Sequence, residues 1–438
     1  MIKYQILYEK IKNDILNSKY EYQERIPSIR QMVHQTGYSK TTVESAYLQL
    51  LAEGYIQSIN KSGYYVDVKV QDITNVKILN NNDNQERKIH YPYDFSGRSV
   101  DQQSFDLTLW HKYLKKVIQE ENELYDYGNP QGELTLRRNL CKYTLSKRGV
   151  ETLPSQVFVG SGFQSLLHII CGVFDDLVKI AMPKSGFIYA MQVFIDYHIQ
   201  IEWIEEDEEG IIVENLKDKN VQLIYINSSS SGKYAKPLSI SRRMALIEYA
   251  KQNDIYIIED DHNGELRYQV RPIEAMQKQA TEYIIYIGSF SKLLIPSIRL
   301  SYMVMPIKIV EKYQVKKNNY HQTVSKFEQL ALNYYIEDGA LDRQLKKLRR
   351  LYLNKSKLML ECIERYLNCS SVILEETALR VKIKLTDDFD LKAYCQSANE
   401  HGIAFLVEND EIILSFSSIS FDRIEEGIKQ LSIIKPKS

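Results

Sequence analysis

The most informative segment is Gly288-Ser-Phe-Ser-Lys-Leu-Leu-Ile-Pro-Ser-Ile-Arg-Leu-Ser-Tyr-Met-Val-Met-Pro306, in which Lys292 lies four residues after the apolar run Tyr283-Ile-Ile-Tyr-Ile-Gly288. A lysine at the end of a buried strand is poorly solvated, which lowers the pKa of its amine and prepares it to form a Schiff base with an aldehyde. Further along, Arg299 offers a planar guanidinium suited to a phosphate, and Ser289 and Ser291 can donate to the same anion. The segment predicts an anchor for pyridoxal 5'-phosphate (PLP), although an ordinary surface lysine in a strand-turn-helix connection fits this spacing equally well.

Length and composition limit the protein to a few classes. A chain of 438 residues with 44% hydrophobic residues can form one large and one small domain, at roughly 100 to 200 residues per domain. The net charge of −1 argues against a protein that coats nucleic acid over its whole surface, but it permits a local DNA-binding face. Five cysteines without a Cys-x-x-Cys pair indicate neither a disulfide framework nor a zinc site. No apolar run approaches the roughly 20 residues that span a bilayer, so we expect a cytoplasmic protein that does not contact membranes.

The first 70 residues predict short helices followed by a hairpin. After a first amphipathic helix, Ser28 is expected to cap a second helix and Gly37 to end it, and Ser39 begins a third. A helix pair with a glycine-containing turn places the start of its second helix in the DNA major groove. Alternating apolar residues on both sides of 61–63 predict a two-stranded wing with a basic tip. A small helical packing domain is the alternative interpretation.

A linker and a larger domain follow. Residues 71–92 include the polar run Asn80-Asn-Asn-Asp-Asn84 and show no sustained period, so they predict a tether. From 93 to 438, apolar strand-like segments alternate with helical patterns, and these segments are 156–159, 178–182, 221–226, 255–258 and 283–287. This alternation indicates an α/β domain with a mainly parallel sheet covered on both faces, together with a smaller C-terminal α+β subdomain. Ligands of such sheets bind outside the carboxyl ends of the strands.

Two segments directly after predicted strands carry candidate ligand-binding groups. Gly160-Ser-Gly-Phe-Gln-Ser165 opens a helix whose first N–H groups favour a phosphate, although glycine-serine turns often simply begin helices. In Glu259-Asp-Asp-His-Asn-Gly-Glu265, one carboxylate is suited to hold a pyridine nitrogen in its protonated form. A solvated acidic turn and a cation site are the alternatives there. We expect no metal site, because no set of His and Cys ligands accompanies these carboxylates.

Several motifs stand in the order typical of one family. They are Arg25-Ile-Pro-Ser-x-Arg30, Tyr127-Gly-Asn-Pro-Gln-Gly132, Glu259-Asp-Asp261 and Ser289-x-Ser-Lys-x-x-x-Pro-x-x-Arg299. With these motifs the chain resembles, over essentially its whole length, the MocR/GabR branch of the GntR regulators. Members of that branch fuse a winged helix-turn-helix to a fold-type I aminotransferase-like domain, so the resemblance implies both parts here.

The resemblance implies a role for each matching position. In the large domain, Lys292 would bind the PLP aldehyde and Asp260 would pair with the ring nitrogen. His262 does not match the family residue at its position, but its ring can still hydrogen-bond the cofactor. The residues implied to hold the phosphate are Ser161, Gly162, Phe163, Ser289, Ser291 and Arg299. The implied DNA contacts are Arg25, Ser28, Arg30, Ser39, Lys40, Thr41 and Thr42, with Lys61 and Gly63 of the wing turn at the minor groove.

Four positions depart from the family pattern. His262 replaces a tyrosine, and Ser185 replaces the aromatic residue that stacks on the ring. The loop 227–237 replaces a Pro-Thr-Gly loop, and Ile413 replaces the arginine that binds the substrate carboxylate. Loss of such a buried, charge-assisted contact costs on the order of 2 to 3 kcal/mol. Amino-acid binding is therefore not expected, unless Arg380 takes over this role.

The leading hypothesis is a homodimeric transcriptional regulator that binds double-stranded operator DNA and responds to PLP itself, with genes of vitamin B6 metabolism as candidate targets. An active aminotransferase with an accessory DNA-binding module is the second hypothesis, and half-transamination with amino acids distinguishes it from the first. In the third, the large domain has lost PLP and serves only for dimerisation. An absorbance spectrum recorded with and without PLP separates this third hypothesis from the first.

Overall fold

The computed structural model of the chain describes residues 3–69, 91–119, 124–174, 178–232, 234–386, 390–408 and 410–434. The chain divides into two compact units, Met1–Lys88 and Ile89–Ser438. The linker predicted at 71–92 lies outside the described residues except for its last two positions.

The first unit has the predicted order of elements. They are α1 (Lys3–Leu16), α2 (Ile29–Thr36), α3 (Lys40–Ala52), β1 (Ile56–Ile59) and β2 (Gly63–Val66). Ser28 caps α2, Gly37 ends it in the left-handed conformation, and Ser39 caps α3. The two strands pair antiparallel and form the expected wing. Apolar side chains from all three helices and both strands form one core, which confirms a winged helix rather than a purely helical packing domain.

The second unit is larger. Its helices, within the described residues, are α4 (Leu107–Gln119), α5 (Leu134–Arg148), α6 (Phe163–Val173), α7 (Ile188–Asp196), α8 (Ile240–Asn253), α9 (Ile307–Lys316), α10 (Lys326–Glu337), α11 (Ala340–Tyr366), α12 (Leu391–Glu400) and α13 (Ile424–Ile433). Its strands there are β3 (Tyr93–Asp94), β4 (Val157–Gly160), β5 (Lys179–Pro183), β6 (Gln200–Ile204), β7 (Glu206–Asp207), β8 (Gly210–Ile211), β9 (Leu223–Asn227), β10 (Tyr256–Asp261), β11 (Ile284–Ser289), β12 (Ser301–Val304), β13 (Cys369–Glu375), β14 (Arg380–Leu385), β15 (Ile403–Ala404), β16 (Leu406–Glu408) and β17 (Glu411–Ser415).

A central sheet organises the second unit. Its strand order is β4-β12-β11-β10-β9-β5-β6. Neighbouring strands are parallel except around β12, which is antiparallel to both β11 and β4. Every residue of β4, β11 and β12 is buried, as expected for strands covered on both faces. The predicted mainly parallel α/β domain is confirmed.

The C-terminal part forms a smaller α+β subdomain, also as predicted. Its antiparallel sheet has the order β13-β14-β17-β16. The strand β3, near the start of the second unit, pairs in parallel with β15. The first described segment of this unit is thereby attached to its C-terminal subdomain. Within the described residues, no helix combines the length and the apolar character needed to cross a bilayer.

Candidate functional site

The predicted DNA contacts lie on the surface of the first unit. The exposed members are Arg25, Arg30, Ser39, Lys40, Thr41 and Lys61, and the half-buried members are Ser28, Thr42 and Gly63. The hydroxyls of Ser28 and Ser39 accept hydrogen bonds from backbone N–H groups in the first turns of α2 and α3. These two serines therefore act as helix caps. Lys40 forms an exposed ion pair with Glu44 at 3.4 Å, which leaves its amine accessible to a phosphate.

Arg25 lies at the wing turn, a position that the sequence did not indicate. A Cβ at Gly63 would lie 3.0 Å from Nε of Arg25. Arg25 also forms an isolated antiparallel β-bridge with Tyr65 of β2. Because Gly63 has no side chain, the guanidinium can lie against the backbone of the turn. The fold thus brings two of the predicted contacts together on one surface.

In the second unit, several predicted cofactor residues gather at one edge of the central sheet. Ser301 of β12 pairs with both Ser289 of β11 and Gly160 of β4. The ends of β4 and β11 therefore meet at the start of β12. On the other side of β11, Asp261 pairs with Gly288. This edge is where ligands bind in sheets of this class.

Arg299 and Gly162 meet at the N-terminus of α6. Gly162 has a φ of 115°, and a Cβ there would lie 2.7 Å from Nη2 of Arg299. The helix begins at the next residue, Phe163. The guanidinium therefore lies beside the N–H groups of a helix N-terminus, and both groups favour a bound phosphate.

Hydroxyl groups line the same edge. The Ser289 hydroxyl accepts hydrogen bonds from the Ser291 N–H at 3.3 Å and from the Ser301 hydroxyl at 3.2 Å. The Ser161 N–H donates to Oγ1 of Thr323 at 3.1 Å. No sequence motif points to Thr323, because only the fold brings it to Ser161, which is 162 residues away in the chain.

The acidic residues at the end of β10 have separate environments. Asp261 forms a fully buried ion pair with Arg148 and also accepts hydrogen bonds from two hydroxyls. Burial alone would raise the pKa of Asp261, but the Arg148 cation lowers it below its usual value. Glu259 accepts hydrogen bonds from the backbone N–H groups of Met276 and Gln277, at 2.8 and 3.0 Å. Both carboxylates therefore have structural partners.

Asp260 lies on the opposite face of the strand, because successive side chains alternate. Asp260 is 4% exposed, and its carboxyl accepts a hydrogen bond from the Tyr225 hydroxyl at 2.5 Å. Burial raises the pKa of Asp260 to about 7, although the bond from Tyr225 opposes this shift. The Tyr225 ring in turn lies 6.3 Å from the ring of Phe163 at the start of α6. Asp260 is thus linked through Tyr225 to Phe163, one of the candidate phosphate-binding residues.

The Lys292 amine is half-buried. Its Nζ donates to the carbonyls of Gly97 at 2.9 Å and Ser99 at 3.3 Å, and to the Ser417 hydroxyl at 3.2 Å. Burial lowers the pKa of Lys292 to about 8. His262 lies nearby, and burial together with the Lys292 cation lowers the pKa of His262 to about 4. The imidazole is therefore neutral at pH 7.

An aromatic side chain lies close to this site, although position 185 does not supply it. Ser185 is exposed. Two residues later, the ring of Phe187 packs edge-on against Phe163 at a centroid distance of 5.7 Å. Phe187 is 43% exposed. A phenylalanine two residues after Ser185, shortly beyond an apolar strand-like run, is the sequence signal that could have identified it.

An apolar residue occupies the position at which the family has a carboxylate-binding arginine. The cations near it are already paired with carboxylates. Ile413 is 1% exposed and pairs with Lys382 across the small sheet. Arg380 forms ion pairs with Glu375 and Glu408, and Lys382 pairs with Glu375 at 3.4 Å. A substrate carboxylate would have to displace these glutamates. The structure therefore gives no support to a replacement role for Arg380.

The residues at this edge carry the chemical groups that PLP binding requires. An amine of lowered pKa suits an aldehyde, a buried carboxyl suits a ring nitrogen, and a guanidinium beside a helix N-terminus suits a phosphate. Beside this guanidinium there is space that a Cβ on Gly162 would fill. In the part of the chain that the structure describes, no group of three or more His, Cys, Asp or Glu side chains is arranged to hold a metal ion.

Comparison with known proteins identifies relatives for both units. Residues 3–66 match the family described as bacterial regulatory proteins, gntR family. The chain is 32% identical to the HTH-type transcriptional regulator YdeL of Bacillus subtilis, over 98% of this chain and 96% of that protein. It is 26% identical to the probable rhizopine catabolism regulatory protein MocR of Rhizobium meliloti, over 97% and 92% of the two chains. It is also 26% identical to the HTH-type pyridoxine biosynthesis transcriptional regulator PdxR of Corynebacterium glutamicum, over 76% of this chain and 73% of that protein.

Among solved structures, the kynurenine aminotransferase of Pyrococcus horikoshii is similar with a TM-score of 0.69 and 25% identity. The match covers 79% of this chain and 91% of that chain. An N-terminal GntR unit and an aminotransferase-like fold therefore occur in one polypeptide, and the regulator YdeL matches it almost end to end. The chain belongs to the GntR family of HTH-type transcriptional regulators, in the MocR/GabR subfamily that joins a winged helix to a fold-type I aminotransferase-like domain.

Proposed function

We propose that this regulator binds PLP at Lys292 and changes its affinity for operator DNA when PLP is bound. The observation that supports this most directly is a half-buried amine of lowered pKa, about 8, at the end of β11. Roughly one tenth of such amines are uncharged at pH 7, whereas an ordinary lysine is almost wholly protonated. The nucleophilic form is therefore present without a separate base.

The neighbouring residues have roles that follow from their environments. Bound PLP supplies an aldehyde and an electron-withdrawing ring. Arg299 and the N–H groups that follow Gly162 would bind its phosphate by charge-assisted hydrogen bonds. Asp260 would accept a hydrogen bond from the protonated ring nitrogen, and this positive charge would favour the ionised carboxylate. The neutral ring of His262 offers one further hydrogen bond without adding charge.

The same surroundings favour a sensor of PLP over an enzyme that processes amino acids. Position 413 is a buried isoleucine, and the cations on the adjacent strand, Arg380 and Lys382, are paired with glutamates. An amino acid would therefore lack a charge-assisted contact worth on the order of 2 to 3 kcal/mol, or about 30- to 150-fold in affinity. PLP itself is the effector that these contacts favour.

An effector changes DNA binding only if its affinity differs between the DNA-competent and the incompetent arrangement of the protein. Because aminotransferases of this fold are typically dimers, we propose a homodimer that presents two winged helices to paired half-sites on double-stranded DNA. The name of the relative from Corynebacterium glutamicum, a pyridoxine biosynthesis regulator, supports genes of vitamin B6 metabolism as targets.

Absorbance spectra with and without PLP test the proposal. We expect the wild-type protein to gain a visible band that Lys292→Ala does not gain. Lys251→Ala, a change at an exposed lysine of α8, should gain the band as the wild type does. A panel of amino acids should leave the band unchanged. A wild type without the band, or a Lys292→Ala variant with it, contradicts PLP binding at this lysine, and loss of the band with an amino acid would instead support an aminotransferase.

A further inference from the structure

Lys292 connects parts of the second unit that lie far apart in sequence. Its amine donates to two backbone carbonyls, those of Gly97 and Ser99, and to the hydroxyl of Ser417. The Ser417 hydroxyl donates in turn to the Ser99 carbonyl at 3.3 Å. Lys292, three residues after β11, is therefore hydrogen-bonded to the loop that follows β3 and to Ser417, two residues beyond β17.

This loop, residues 96–100, lies between two buried anchors. Before it, Phe95 is fully buried. After it, the side chain of Asp101 forms a buried ion pair with Lys355 at 2.8 Å. The carbonyls that Lys292 binds belong to the residues before and after Arg98 in the sequence, and the Arg98 side chain is exposed. The lysine thus contacts the middle of the loop, away from either anchor.

We propose that the Lys292 amine is a latch on residues 96–100, and that reaction of this amine with an aldehyde releases them. The identity of the aldehyde, PLP, rests on the proposed function. Residues 70–90 join the winged helix to the segment that contains this loop. The latch therefore acts on the part of the second unit that is nearest in sequence to the DNA-binding unit.

The Lys292 amine cannot make all three hydrogen bonds and also be bonded to an aldehyde. The ammonium gives one proton to solvent, and the neutral amine then forms a C=N bond with the aldehyde carbon. Both remaining amine hydrogens leave with the aldehyde oxygen as water. The nitrogen then carries no N–H, or one if it is protonated again. It cannot donate to Gly97, Ser99 and Ser417 together.

Tryptic cleavage after Arg98, identified by mass spectrometry, measures whether the loop is held, since a protease requires local opening. Without PLP, we expect Lys292→Met to be cleaved there about tenfold faster than the wild type. The reason is that the loss of even one hydrogen bond raises the population of the opened loop by up to about tenfold. Wild type saturated with PLP should also be cleaved faster than wild type alone. Lys316→Met is the matched control: Lys316 donates to the carbonyls of Gly172 and Val173, so its loss should leave cleavage at Arg98 unchanged.

A second variant keeps the lysine. Ser417→Ala removes one of the three acceptors, and we expect a cleavage rate between those of the wild type and Lys292→Met. Equal rates for wild type and Lys292→Met without PLP overturn the latch. If the wild type gains no visible band with PLP, the proposed function fails. The cleavage rates of the wild type and Lys292→Met without PLP still test the latch. If the band forms and the cleavage rate does not change, the release step is wrong.

Discussion

The guanidinium of Arg299 lies almost where a side chain on Gly162 would begin, since a Cβ at Gly162 would come within 2.7 Å of its Nη2. Gly162 also has a φ of 115°, which residues with a Cβ rarely adopt. This glycine keeps the space open at the N-terminus of α6, where we expect the PLP phosphate.

Gly162→Ala should weaken PLP binding by about tenfold or more, because the new methyl group displaces Arg299 and weakens a charge-assisted hydrogen bond. Titration of the visible band with PLP measures the affinity. Gly339→Ala is the control: it also has a positive φ, 65°, but its Cβ would meet only Nη1 of Arg343 at 3.5 Å. That variant should lose about 1 kcal/mol of stability and keep its PLP affinity. An unchanged affinity in Gly162→Ala would argue against this phosphate site.

Asp260→Asn should change how stability depends on pH. Burial raises the pKa of Asp260 to about 7 from an ordinary value of 3.8. As pH rises from 4 to 7, the carboxyl ionises in the unfolded chain but stays protonated in the folded one, so the wild type loses stability over this window. Measured without PLP at pH 8, the variant should be more stable by about 1 to 4 kcal/mol, and the gain should disappear near pH 4.

Thermal unfolding at several pH values checks this expectation. Asp196→Asn, at an exposed position on α7, is the control and should differ little from the wild type at any of them. A wild type that is more stable than Asp260→Asn at pH 8 would be inconsistent with a buried carboxyl of raised pKa.

Arg148→Met should destabilise the second unit by about 3 to 5 kcal/mol, because it leaves the fully buried Asp261 without its cation. Denaturant unfolding followed by circular dichroism gives the free energy. The exposed pair of Arg365 and Glu425, at 3.4 Å, provides the comparison. Arg365→Met should cost less than about 1 kcal/mol. Equal effects of the two changes would refute the structural role assigned to Arg148.

Lys40→Ala should weaken DNA binding and reduce its salt dependence. Each phosphate contact contributes about 0.9 to the slope of log affinity against log salt concentration, so loss of one contact should lower the slope by about that amount. Binding isotherms on genomic operator fragments at several salt concentrations measure it. Lys19→Ala, which removes an exposed lysine paired with Asp14 at 3.0 Å, should leave the slope unchanged. A normal slope for Lys40→Ala would place this lysine outside the DNA interface.

Features that depend on neighbouring residues were predictable. Ser28, Gly37 and Ser39 mark helix ends in the structure as they do in the sequence, because a cap acts on backbone groups only two to four residues away. The apolar runs likewise predicted β4, β5, β9, β10 and β11 near their observed positions. The alternation of side chains along a strand also separates Asp260 from its two acidic neighbours.

Motifs and periodicity are properties of contiguous residues, so the sequence was enough to predict the family, the order of the two units and the position of Lys292 after a buried strand. Only the three-dimensional fold shows that Asp261 is neutralised by Arg148, 113 residues away in the chain. It alone also decided that the Lys292 amine contacts Gly97, 195 residues away. The physical reason is that the environment of a buried charge is set by the groups packed around it, and folding brings these groups from parts of the chain that no local pattern connects.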